Sequence, residues 1–73
     1  METIIEKFNT EKRAYILVRR NNGYFIKYNN TEESQLCRNP EVQEQIAKTV
    51  ARWRAEEIEE KEADDEAWKS IIH

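Results

Sequence analysis

Val42, Ile46, Val50 and Trp53 recur at spacings of four, four and three residues, which puts them on one stripe of an α-helix. Asn39-Pro40 stands ahead of that stripe. Proline suits a first helical turn, where its missing N–H is not needed, and asparagine before it can cap a free amide one turn in. The pattern predicts a helix over 40–62. Its stripe is expected to dock on the rest of the chain, with Trp53 as the largest contribution and with Ala47, Ala51 and Ala55 beside it allowing close approach. No coiled-coil seam is expected, because past Trp53 the apolar positions pass to Glu56, Glu57 and Glu60.

Upstream the period is that of strands. Ile4, Glu6 and Phe8 alternate with Thr3, Ile5 and Lys7, favouring a short strand over 2–8. RAYILVRR, residues 13–20, is rich in residues that pack well on a pleated surface. Asn21-Asn22-Gly23 then breaks the run and YFIKY, residues 24–28, supplies a second arm, so 13–28 reads as a β-hairpin. A three-residue loop with Gly23 in the left-handed position pairs Arg20 with Tyr24 and Val18 with Ile26. It gathers Ala14, Ile16, Val18, Tyr24, Ile26 and Tyr28 on the core face and leaves Tyr15, Leu17, Arg19, Phe25 and Lys27 on the other. An Asn22-Gly23 turn would shift the pairing by one residue and swap one strand's faces.

Residues 29–38, NNTEESQLCR, read as a polar connecting loop from which Leu36 and Cys37 plug the core's edge. After Arg54 the helix turns acidic and keeps Ile58 as its one large apolar residue before Ala67. Asp64 or Asp65 is placed to cap a second, short helix over 65–72, carrying Trp68, Ile71 and Ile72. The fold class is therefore α+β: a small antiparallel sheet of two or three strands packed by one long C-terminal helix and a short terminal one. Residues 1–73 form one small domain, divided into a meander (1–30), a loop (31–39) and an acidic helical part (40–73).

Seventy-three residues bury only a modest core. One cysteine excludes an internal disulfide, and one histidine, His73, is too little for an N/S metal site. That leaves a partner chain as the expected stabiliser, a homodimer first. The single Cys and the lack of an apolar leader or a run near ~20 apolar residues suggest a cytoplasmic protein away from membranes. Asn29-Asn30-Thr31 matches a glycosylation sequon only by chance in such a compartment.

The net charge of −3 divides unevenly. Residues 1–30 carry six basic and three acidic side chains (+3), and residues 31–73 carry six and twelve (−6). Catalysis is not expected. Cys37 has no positioned base, one glycine cannot build a phosphate loop, and carboxylates on an exposed helix lack the burial that separates acid from base. No cofactor is expected either.

Recognition is what remains. Glu56, Glu57, Glu59, Glu60, Glu62, Asp64, Asp65 and Glu66 space negative charge along a rod, suited to a basic groove on a partner protein that itself handles nucleic acid. In size and charge style the chain resembles small acidic phage or mobile-element proteins that block nucleic-acid-guided defence enzymes, which implies a non-enzymatic binding module or inhibitor. The alternative is a small nucleic-acid-binding regulator. Its hairpin would use Arg13, Tyr15, Arg19, Arg20, Phe25 and Lys27 as an interleaved basic and aromatic platform. A pI near 5.2 weighs against it.

Overall fold

The computed structural model describes residues 1–72. Four strands, β1 (Thr3–Asn9), β2 (Ala14–Arg20), β3 (Gly23–Tyr28) and β4 (Glu32–Cys37), form an antiparallel meander in the order β1-β2-β3-β4. One helix, α1 (Glu44–Ile72), crosses one face of that sheet. The α+β class stands, with four strands rather than two or three.

The extra strand is β4, where a loop was expected. Glu32, Glu33, Ser34 and Gln35 look like loop residues because an edge strand with one solvated side does not need large apolar groups. Asn29 and Asn30, at φ 51° and 68°, make the reversal that leads into it. The hairpin register also differs from expectation by one residue. Arg20 pairs with Gly23, Val18 with Phe25 and Leu17 with Ile26, around a two-residue Asn21-Asn22 loop. Such a slip moves one strand's side chains to the opposite face. Tyr15 and Leu17, not Ile16 and Val18, therefore join Tyr24 and Ile26 beneath the helix. Gly23 has φ 133°, and a Cβ there would lie 2.0 Å from the Cys37 carbonyl oxygen. It lets β3 and β4 close together rather than serving as a left-handed loop residue.

The helix begins at Glu44, not at residue 40. Asn39 Oδ1 accepts the Glu41 amide at 2.9 Å, so it caps a turn ahead of the helix. At the other end the helix runs unbroken to Ile72 and Asp64 or Asp65 caps nothing, because the Glu, Lys and Ala residues around them are strong helix formers.

The docked face is the largest correction. Ala47, Ala51 and Ala55 are buried, with Ile58 partly so, whereas Trp53 is 60% and Ile46 52% exposed. The bulk of the core comes from the sheet: Phe8, Tyr15, Leu17, Tyr24 and Ile26 fill the space, and small helix residues let the backbone come near. Polar contacts on both flanks fit this rotation. On one side Arg52 meets Glu6 at 2.7 Å and Arg19 meets Glu44 at 3.7 Å. On the other, Arg54 Nη1 donates to Ser34 Oγ at 2.8 Å and to the Gln35 carbonyl at 3.0 Å. Tyr24 OH donates to the Val42 carbonyl at 2.7 Å and ties down the segment before α1. Leu36 and Cys37 pack against the core's edge as expected.

Candidate functional site

The acidic run divides along the helix. Two of its members turn inward. Glu59 Oε2 accepts from Thr10 Oγ1 and from Tyr15 OH, each at 2.6 Å. Glu62 Oε1 receives Arg13 Nη2 at 2.6 Å. Burial raises the Glu59 carboxyl's pKa, but the hydrogen bonds from Thr10 and Tyr15 outweigh that and hold it below its ordinary value. The Tyr15 phenol is pushed up by burial and by the negative partner it donates to.

The other six, Glu56, Glu57, Glu60, Asp64, Asp65 and Glu66, are exposed. Glu57 lies 3.9 Å from Arg54. Among the described residues Glu56, Glu60, Asp64, Asp65 and Glu66 enter no ion pair. Asp65 and Glu66, with Glu62, Lys12, Arg13 and Lys69, line an open cleft between the β1–β2 turn and the helix.

The six hairpin candidates do not share a face. Arg13, Tyr15 and Arg19 are on the helix side, bound to Glu62, Glu59 and Glu44. Tyr15 is fully buried, stacked on Phe8 at 5.2 Å between centroids. Arg20, Phe25 and Lys27 lie on the opposite face with Glu2 and Glu33. Arg20 bonds Glu33 at 2.7 Å and Glu2 at 2.8 Å, and its guanidinium covers the Phe25 ring at 4.6 Å. Lys27 completes the group at 3.3 Å from Glu2. Side-chain hydrogen bonds from Arg20 hold both Glu2 and Glu33 below the ordinary carboxylate range, Lys27 adding to the effect at Glu2. Neither Tyr15 nor Phe25 offers an open ring for stacking.

Sequence reading missed Thr10, Glu2 and Glu33. Thr10 had no local signal, and Glu33 joins Arg20 only once β4 is placed beside β3. Among the described residues no three His, Cys, Asp or Glu side chains come together as a metal site. Among the described residues no helix is long and apolar enough to cross a membrane.

Fold and charge together define a small α+β module in which, among the described residues, every arginine but Arg38 meets a carboxylate, while Glu56, Glu60, Asp64, Asp65 and Glu66 on the far part of one helix meet no cation. No family model matches the chain, and searches of curated proteins and of solved structures find no significant match.

Proposed function

We propose that the protein is a non-enzymatic binding module or inhibitor, of phage or mobile-element origin and cytoplasmic, whose acidic helix engages the basic surface of a partner protein, one that handles nucleic acid. The observation that carries this reading is the asymmetry of charge pairing. Arg13, Arg20 and Arg52 are taken up by Glu62, by Glu2 with Glu33, and by Glu6. Glu56, Glu60, Asp64, Asp65 and Glu66 have no such partner among the described residues and stand in water. Closely spaced unpaired carboxylates on a rigid rod steer toward a cationic groove and compete there with a nucleic-acid backbone.

The test replaces Glu56, Glu60 and Glu66 with Gln and Asp64 and Asp65 with Asn. Captured basic partners should be lost from the neutralised protein while its circular dichroism is unchanged. The unmodified protein should leave DNA and RNA unretarded in a low-salt gel. Retardation that weakens steeply with salt, and disappears when Arg19 and Arg20 become Ala, would instead support the hairpin as a nucleic-acid surface.

A further inference from the structure

Two apolar clusters lie on α1 away from the sheet. One is Ile46, 52% exposed, and Trp53, 60% exposed, with half-buried Val50 between them; the other holds Trp68, 63% exposed, and Ile71, 76% exposed. At ~100° per residue, Ile46, Trp53 and Ile71 fall within ~20° of one line along the helix, with Val50 and Trp68 ~40–60° to one side. The alanine face that meets the sheet is centred well over 90° away. Both clusters therefore belong to one outward stripe, on which the molecule leaves Ile46, Trp53, Trp68 and Ile71 exposed.

We propose that this stripe is a self-association surface, on which two copies pair their helices antiparallel. The Ile46–Val50–Trp53 cluster of each copy then packs on the Trp68–Ile71 cluster of the other. A foreign partner would have to reproduce the separation of the clusters, ~22 Å between Trp53 and Trp68 at ~1.5 Å per residue. A second copy turned end for end matches it by identity, because the rotation exchanges the two clusters.

Charge selects the same orientation. Helix residues 44–55 and the sheet side chains paired with them carry Arg19, Lys48, Arg52 and Arg54 against Glu6 and Glu44, a net +2. Residues 62–72 with Arg13 carry Glu62, Asp64, Asp65 and Glu66 against Arg13 and Lys69, a net −2. Antiparallel pairing sets these opposite signs side by side, and parallel pairing would oppose like signs along the whole seam. The like-charged positions on the stripe, Glu57, Glu60 and Asp64, then meet their counterparts only around the two-fold axis. That crowding keeps the dimer weak and leaves the tryptophan clusters at its ends to hold it. Pairing also covers the last turns of α1, which have no sheet beneath them. Glu56, Asp65 and Glu66 lie off the stripe while Glu60 and Asp64 belong to both surfaces, so the tryptophan variants test the pairing without altering any carboxylate of the binding reading.

Sedimentation velocity between about 5 and 500 µM should show a concentration-dependent shift from the 8.8 kDa monomer to a species of twice that mass. Trp53→Ala and Trp68→Ala should each raise the dissociation constant at least about tenfold with unchanged circular dichroism. Cysteine pairs report the orientation on a Cys37→Ser background. Glu60→Cys, near the axis, should form a disulfide-linked dimer on mild oxidation. Ile46→Cys should not link to itself but should link to an Ile71→Cys chain mixed with it. A monomer across the whole range, self-linking of Ile46→Cys, or a dimer indifferent to both tryptophan variants would overturn the proposal.

Discussion

Tyr15 joins two functions in one side chain. Its ring fills the core between Phe8 and Tyr28, and its hydroxyl ends on Glu59, a residue of the acidic run. Tyr15→Phe keeps the ring and removes one of the two donors to that carboxylate, so it should destabilise the fold by about 1.5–3 kcal/mol in urea unfolding at neutral pH. The same contact sets a pH dependence. The folded-state pKa of Glu59 is below its ordinary value of 4.5, as are those of Glu2 and Glu33. Their contribution is therefore present above pH 4.5 and is lost as the pH falls through the lowered folded values. Unfolding free energy from these groups should be level from pH 7 to about 5 and drop below about 4.5, with a shallower drop in Glu59→Gln. Gly23 is the second residue on which local geometry turns. Gly23→Ala meets the Cys37 carbonyl and forces a β-carbon onto a positive φ, so a loss of about 2–4 kcal/mol is expected in the same assay.

At the scale of elements the helix reverses the ordinary ranking of its side chains. Trp53→Ala should change unfolding free energy by less than about 1 kcal/mol, because the indole is mostly in water. Ala51→Leu, at a fully buried site under the sheet, should cost about 1–3 kcal/mol or more by overpacking. Calorimetry of both variants checks the pair. The reversal also shows what the residue pattern conveyed. β2, β3 and the helix declared themselves through branched and aromatic residues and through periodicity. The helix rotation did not, because a stripe of Ile, Val and Trp looks like a core while the true contact is made of alanines whose partners lie far away in sequence. β4 was hidden by its polar composition, and the hairpin register by a glycine needed for strand approach rather than for the loop. The acidic run could be read directly, but not the inward turn of Glu59 and Glu62, whose partners Tyr15, Thr10 and Arg13 are 44 to 49 residues away.

The molecule as a whole measures 46 × 20 × 19 Å, and the long dimension matches a 29-residue helix at ~1.5 Å per residue. Among the described residues the last ion pair between that helix and the sheet side of the molecule is Glu62 with Arg13, and residues 63–71 are exposed. A ten-residue helical end without a supporting surface is marginal in water. Amides beyond residue 63 should therefore exchange with deuterium far faster than those around Ala51 in a dilute sample. A chain ended at Glu62 should keep its unfolding free energy within about 1 kcal/mol of the full protein, since residues 63–71 are all exposed. It should also fail in partner capture, having lost Asp64, Asp65 and Glu66. Folding and recognition are thus assigned to different lengths of one helix, and this truncation separates them. If ending the chain there unfolds the sheet, the far end is part of the core's support and not a surface held out for another molecule.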